Sequence, residues 1–373
     1  MTWWIKSIQE IFSKEINNWL LPPMTSNSRY LEDVAIIRPI LIVLLVFYHA
    51  FAIYSGAWKP IEGLLEIPVY WWLDKLSYAF MLETFIFVSG YVFGFQVRTK
   101  GEYKLNAKNL FYGKFRRLII PSIIFSLLYN ILFRDILTQS VNKTFYDVIA
   151  GTGHMWFLPM LFFCFVFIWA IEKLKLKLKL TFFVLMVSYF LSFLPLPFHI
   201  GHTLHYMIFF YAGYIIQKKD VNIKRFYIKR IAALLVAAFI VLFTVLTLFI
   251  KNSDVIIGGG NNVIFMKLFR IMLCDFSKLI YSTTGLAMLV VLVGIYVKRR
   301  NPVGVCLIGI GNLCMGVYLF QQFILKSLYD YTSLPTLIGS YWLPWVGFLI
   351  ALLGSLLLTW LSHQTKLGRY LIG

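Results

Sequence analysis

The sequence predicts an all-α membrane protein, a polytopic bundle of about ten transmembrane helices with both termini in the cytoplasm. Composition is the first observation behind this prediction. Of the 373 residues, 60% are hydrophobic and only 14% are charged, and the mean hydropathy is +0.77. A soluble domain carries about 25% charged residues. A globule with this composition lacks the polar groups needed to cover a surface that faces water.

The second observation is the length of the apolar runs. A helix that spans the bilayer needs about 20 mostly apolar residues, and a backbone in lipid must satisfy its hydrogen bonds internally, which favours helices. The strict alternation of a membrane β-barrel is not seen in these runs. The ten runs cover residues 34–54, 78–97, 118–136, 156–172, 180–196, 204–217, 231–250, 279–297, 304–325 and 337–361.

The third observation is the distribution of basic residues. The formal net charge is +19, and with a cytoplasmic N-terminus 25 of the 35 Lys and Arg residues fall in segments that face the cytoplasm, against nine that face outside. Cytoplasmic loops of membrane proteins carry such an excess. Topology therefore explains the charge, and we expect a lipid bilayer and no nucleic acid as partner.

The chain is predicted to have two parts. Residues 1–30 contain apolar and aromatic side chains at helical spacing with Lys and Glu between them, which indicates an interfacial amphipathic segment. Residues 31–373 are interpreted as a single transmembrane domain. Its longest outer stretch, 251–278, is interpreted as a plain loop, with a mobile lid as the alternative. The four cysteines show no CxxC spacing, and three outer histidines have no accompanying carboxylate or thiolate, so no metal site is expected.

Arg38 and His49 are the most informative polar pair in the apolar runs. They are eleven residues apart in the first run, which corresponds to three helical turns plus about 20° and to about 16 Å along the axis. Both therefore project from one face of the helix. Ionisable groups inside spans are costly, so each is a candidate for function. The alternative is that Arg38 reaches the headgroups while His49 bonds a neighbouring helix.

Two further groups of candidates carry charge. Glu83 in the second run is interpreted either as an acid in the outer half of the membrane or as the partner of a cation. Lys114, Arg116 and Arg117 precede the third run. They are either ordinary cytoplasmic basic residues or ligands for the phosphates of a cytoplasmic cofactor.

The remaining candidates lie at later runs. His154 and Trp156 stand at the outer mouth of the fourth run, where Trp156 also suits an interface anchor. Gln321 and Gln322 lie late in the ninth run. Their amides are suited to hydrogen-bond an acceptor substrate or another helix.

Taken together, these landmarks resemble the integral-membrane acyltransferase-3 family. Its members carry an Arg-x10-His signature in the first span and three further motifs in the following spans. This chain has Arg38-x10-His49, Phe87-Val-Ser89-Gly90-Tyr91, Arg116-Arg117-Leu-Ile-Ile-Pro121 and His154-Met-Trp156-Phe157-Leu158. Many members also have Tyr-Leu-x-His late in the chain. Here that stretch is Tyr318-Leu319-Phe320-Gln321, without the histidine.

The resemblance implies a membrane O-acyltransferase. Such an enzyme moves an acyl group, most commonly acetyl, from cytoplasmic acyl-CoA to a hydroxyl of a glycan or lipid-linked saccharide on the extracytoplasmic side. Lys114, Arg116, Arg117 and Arg38 would bind the donor. The residues that would face the acceptor are Glu83, His154, Trp156, Gln321 and Gln322.

His49 would be the catalytic residue, and Arg38 is a second catalytic candidate. A histidine, with an unperturbed pKa of about 6.5, suits a general base, and an acyl-histidine relay stays open. The expected location is the inner membrane of a bacterium, and a homo-oligomer or glycan-synthesis partners are left open. The alternative functions are a saccharide transporter or exporter, and a scaffold for other polysaccharide enzymes.

Overall fold

The computed structural model describes residues 31–134, 141–253, 264–298 and 304–372, and these ranges are largely helical and contain no β-strand. The predicted all-α class is therefore confirmed. By length and composition, seven of the described helices suffice to cross a membrane. The count of ten spans and the cytoplasmic termini stay predictions, and the predicted interfacial segment 1–30 lies outside the described residues.

The described ranges contain fifteen α-helices, numbered here in chain order. A π-helical turn at Phe115–Ile119 joins α4 to α5, and a short 3₁₀ helix at Gly153–Trp156 precedes α7. The α-helices are α1 Glu32–Ser55, α2 Pro68–Tyr78, α3 Met81–Lys100, α4 Ala107–Lys114, α5 Ile120–Phe133, α6 Val141–Ala150, α7 Phe157–Lys173, α8 Leu178–Leu191, α9 Ile200–Lys218, α10 Lys229–Lys251, α11 Ile264–Lys298, α12 Gly304–Tyr331, α13 Leu334–Ile338, α14 Leu343–Gln364 and α15 Lys366–Ile372.

Each of the ten predicted apolar runs overlaps a helix, and several helix boundaries differ from the predicted ones. Two of these differences have a clear cause. Helix α8 ends at Leu191, because Pro195 follows and the residue before a proline disfavours the helical region. Helix α11 begins at Ile264, so the second half of the predicted outer loop 251–278 is helical. No Gly or Pro interrupts residues 264–284, and the helix therefore extends well beyond the apolar run.

The chain forms two compact units. Among the described residues, the first comprises 31–44, 224–253, 264–298 and 304–314, and the second comprises 45–134, 141–223 and 315–372. In the first unit α10 packs along α11, and the ring of Tyr227 lies against Gly294 where no side chain would fit. Helices α1 and α12 each begin in the first unit and continue into the second.

In the second unit α3 packs closely along α9. Gly90 and Gly94, one helical turn apart, face the backbone carbonyls of Phe210 and Tyr214, and a Cβ at either glycine would overlap those oxygens. Small residues at this spacing let two helix backbones approach in a membrane. This contact is the packing reason for the Ser-Gly-Tyr segment of α3.

Candidate functional site

A stripe of buried polar side chains on α5 holds the segment that precedes α7. Ser122, Ser126 and Asn130 are spaced by four residues, so they share one face of the helix. Asn130 Nδ2 donates to Thr152 Oγ1 at 2.7 Å, and Ser126 Oγ accepts from the Thr152 backbone N–H at 3.0 Å. Ser122 Oγ donates to the Met155 carbonyl at 3.4 Å. These bonds fix residues 152–155 against α5.

His154 lies in the middle of this fixed segment and is held by α12. Its imidazole Nδ1 and its backbone N–H both bond to the side-chain oxygen of Gln322, the backbone bond measuring 3.2 Å. The hydroxyl of Tyr318 donates to the carbonyl of His154. With only 6% of its surface exposed, the residue has its ring orientation fixed from both sides.

His49 lies in the last two turns of α1 and is held by the same helix α12. Its Nδ1 lies 3.1 Å from Gln321 Oε1. The ring stacks on the indole of Trp58, with centroids 5.7 Å apart and planes inclined by 23°. One residue further, the Tyr329 hydroxyl donates to the Ala50 carbonyl at 2.9 Å, which ties the end of α1 to α12. His49 is also 6% exposed.

The two imidazoles form a pair, with ring centroids 6.1 Å apart and planes inclined by 64°. An amide oxygen only accepts hydrogen bonds, so the Nδ1 that faces it carries the proton. In each neutral ring the lone pair is therefore on Nε2. Among the described residues, Nε2 of His154 has no hydrogen-bond partner although it is buried. The arrangement provides two oriented basic nitrogens that are largely buried from solvent.

Adjacent residues on a helix project about 100° apart, which explains how neighbouring Gln321 and Gln322 reach different histidines. Both were predicted to contact an acceptor or another helix. In the structure their side-chain oxygens accept hydrogen bonds from the imidazole Nδ1 atoms. For Gln321, whose partner His49 lies on α1, this geometry agrees with the predicted contact to another helix. Their contact with an acceptor stays a prediction.

Trp156 and Glu83 are the two other residues predicted to contact the acceptor. Trp156 packs with the rings of His199 and His202, at centroid distances of 5.8 and 4.8 Å. Glu83 is half-buried in the first turn of α3. Neither position tests the predicted contact with an acceptor.

The predicted donor-binding residues fall on α4 and the π-helical turn. The Lys114 ammonium lies 3.7 Å from the centroid of Phe165, and the Arg116 guanidinium lies 4.3 Å from that of Tyr370. Arg116 and Arg117 are exposed. Ser122 and Ser126, which contact the His154 segment, follow Arg117 by five and nine residues. At 1.5 Å per residue this is about 8–14 Å along the helix.

Arg38 lies on the part of α1 that belongs to the first unit and is half-buried. Helix α1 runs from Glu32 to Ser55 and therefore contains both Arg38 and His49. A role for Arg38 in donor binding or catalysis stays a prediction.

Several residues that build the site were missed by the sequence reasoning. Ser122, Ser126 and Asn130 carry a readable signal, because polar residues at i, i+4 and i+8 in an apolar run mark a helix face that bonds another segment. Tyr318 shares a face of α12 with Gln321 and Gln322, three and four residues later. Trp58 follows α1 in a turn, and only the folded chain shows its ring against His49.

The fold defines a multi-pass membrane protein, and its buried, oriented imidazoles are groups suited to proton or acyl transfer. A family model described as "Acyltransferase domain" matches residues 31–363. The chain therefore belongs to this acyltransferase-3 family and is an acyltransferase, as its motifs predicted. No curated protein and no solved structure matched the chain.

Proposed function

We propose that this acyltransferase moves an acyl group, most commonly acetyl, from cytoplasmic acyl-CoA to a hydroxyl of a glycan or lipid-linked saccharide outside the cytoplasm. The observation that carries the proposal is the histidine pair. His49 and His154 present their Nε2 lone pairs in a buried site because Gln321 and Gln322 occupy both Nδ1 atoms. Such an orientation suits general base catalysis.

In the proposed reaction, His49 Nε2 takes the proton of the acceptor hydroxyl while the oxygen attacks the thioester carbonyl. A new C–O bond forms, the C–S bond breaks, and the thiolate of CoA takes up the proton from the imidazolium. A relay through an acyl-histidine would divide this into two transfers at the same nitrogen. His154, fixed beside His49, is suited to accept a hydrogen bond from a neighbouring hydroxyl of the acceptor and so to orient the acceptor.

The donor is proposed to bind from the side of the π-helical turn. Arg116 and Arg117 are exposed there, and guanidinium groups bind phosphate in a bidentate manner. The level of the histidine segment lies about 8–14 Å further along α5, which leaves room for an extended arm between phosphates and thioester. Lys114 and Arg38 are proposed to contribute positive charge on the donor side.

The acceptor is proposed to contact Trp156 and Glu83, while Gln321 and Gln322 orient the two imidazole rings. We propose the inner membrane of a bacterium as the location. In that setting the cytoplasm supplies acyl-CoA, and the glycan is modified as it leaves the cell or after it has been exported.

The proposal is tested by mass spectrometry of surface glycans from cells with and without the gene, complemented by wild-type protein or His49→Ala. We expect base-labile O-acyl groups only with the wild-type protein. In parallel, purified protein in nanodiscs receives acetyl-CoA labelled on the acetyl group, and the label should pass to saccharide. Equal acylation in all strains, or saccharide uptake into vesicles without any acyl-CoA, would contradict the proposal and favour the transporter.

A further inference from the structure

A cavity of about 430 Å³ lies beside the segment that carries His154, entirely within the second unit. Its size falls in the range of pockets that hold small ligands. Its lining includes Arg134, Tyr146, Asp147, Gly153, Trp156 and His199.

The charges that line this cavity balance. Arg134 Nη1 lies 2.6 Å from Asp147 Oδ2, and both side chains are partly exposed. Burial lowers the pKa of His199 below its ordinary value, which favours the uncharged imidazole at neutral pH. An ionic ligand would therefore meet no uncompensated opposite charge among these groups. The ion pair still offers N–H donors and carboxylate oxygens as hydrogen-bonding groups.

The apolar part of the lining is aromatic. Trp156 packs with His199 at a centroid distance of 5.8 Å. Tyr146 packs against Phe198 at 5.0 Å, and its hydroxyl accepts from the Phe198 backbone N–H at 3.1 Å. Both rings are thus fixed by neighbours. Large aromatic surfaces beside a balanced pair of hydrogen-bonding groups suit a ligand with apolar C–H faces and many hydroxyls.

Gly153 connects the cavity to the segment that carries His154. Gly153 lines the cavity, and a Cβ built on it would lie 3.1 Å from the side-chain oxygen of Gln322. That same oxygen holds His154. A ligand in the cavity therefore lies directly beside the site to which an acceptor hydroxyl must be presented.

We infer that this cavity binds an uncharged sugar ring of the acceptor, with Trp156 against the ring face and the Arg134–Asp147 pair on its hydroxyls. The inference rests on the proposed function and specifies its substrate class. A uronic acid or a phosphorylated sugar is disfavoured, because Asp147 already neutralises Arg134. A purely apolar ligand would displace water from the remaining N–H groups and carboxylate oxygen of that pair without replacing its hydrogen bonds, which costs free energy.

The test measures binding without any acyl donor, by equilibrium dialysis of protein in nanodiscs. The neutral probes are maltotriose, chitotriose and mannotriose, and the charged probe is trigalacturonate. We expect at least one neutral probe to bind more tightly than trigalacturonate. Trp156→Ala and Asp147→Asn should each weaken that binding about ten-fold. Trp342→Ala, which removes an exposed indole outside the cavity, should change it by less than about two-fold.

Binding is compared only among variants that elute as the wild-type species and keep its thermal midpoint. Asp147→Asn preserves the side-chain shape and serves where Trp156→Ala fails this criterion. The inference is overturned if trigalacturonate binds as tightly as the neutral probes, if no neutral probe binds, or if the cavity variants bind like the wild type.

Acyl transfer is measured separately, so that the two proposals fail independently. Sugar binding that depends on Trp156 without any transfer from acetyl-CoA would remove the proposed function and leave the binding site. Transfer that is unaffected by both cavity variants would leave the function and remove the binding site.

Discussion

The imidazoles of His49 and His154 lie 6.1 Å apart although 105 residues separate them in the chain. The orientation of each ring is fixed by a hydrogen bond to one of two consecutive glutamines on α12. The pair therefore depends on α1, α5 and α12 together, since α5 fixes the segment that carries His154. A defect in any of these helices should reach the site through the orientation of a ring.

Replacing His49 by alanine should abolish acyl transfer and leave an inserted, folded protein. The reason is that the proposed base and its Nε2 lone pair are lost, and general base catalysis contributes about 10²–10⁴-fold. Label transfer from acetyl-CoA measures the loss, and His205→Ala provides a matched control in which another ring is removed. Full activity of the His49 variant would exclude this residue as the base.

Gln321 is predicted to act as a positioning residue for His49. In Gln321→Leu the Nδ1–H of His49 loses its acceptor, and a buried donor without a partner costs about 1–3 kcal/mol. We expect kcat to fall about 10- to 100-fold, with little change in the KM for acetyl-CoA. Gln321→Glu keeps an acceptor oxygen in the same place and should retain more activity than the leucine variant.

The comparison between these two variants separates positioning from packing. A merely structural role would lower the yield of folded protein in both and leave kcat per folded molecule unchanged. Equal kcat in Gln321→Leu and the wild type would exclude the orienting role.

The sequence was informative about helices and about chemistry near the ends of spans. Apolar length predicts that these stretches are helical, and the cost of placing an ionisable group inside a membrane singles out His49 from its position in the first apolar run. The companion of His49 was harder to predict. His154 lies outside the apolar runs, and its approach to His49 depends on the stripe formed by Ser122, Ser126 and Asn130, whose partners are not local.

The role of α12 shows another limit. The missing late histidine left the chemistry of this helix open at the sequence level, and an amide can bond many groups. Only the packing shows that Gln321 and Gln322 bond two different imidazoles, and that Tyr318 holds the backbone of one of them. A pattern within one helix predicts which side chains share a face but not which distant segment meets that face.

Gly153 is predicted to be required at its position for two reasons. Its φ of +61° is a conformation that L residues rarely adopt, and a Cβ would lie 3.0 Å from the Tyr129 ring and 3.1 Å from Gln322 Oε1. Gly153→Ala should lower the free energy of unfolding by about 1–3 kcal/mol and disturb the bond between Gln322 and His154. Thermal unfolding in detergent and label transfer measure the two effects.

Two matched glycines separate the causes of this loss. Gly113 lies in α4 with nothing within 4 Å of a Cβ, so Gly113→Ala should be neutral or stabilising, by up to about 1 kcal/mol. Gly63 has a φ of +82° and open space, so Gly63→Ala reports backbone strain alone. If Gly153→Ala matched Gly63→Ala in stability and the wild type in activity, contact with Gln322 would be irrelevant.

The exposed arginines of the π-helical turn are predicted to serve the donor. Replacing Arg116 and Arg117 together by glutamine should raise the KM for acetyl-CoA about ten-fold or more, because charge-assisted bonds to phosphate are lost. The KM for the saccharide acceptor should stay unchanged. A matched double variant, Lys177→Gln with Lys179→Gln, removes the same charge from another exposed basic segment and should leave the KM for acetyl-CoA unchanged.

Added salt should raise the wild-type KM for acetyl-CoA more than that of the arginine variant, since screening weakens only charges that are present. An equal rise of KM in both double variants would point to a general effect of surface charge, and the assignment of the turn to the donor would then be wrong.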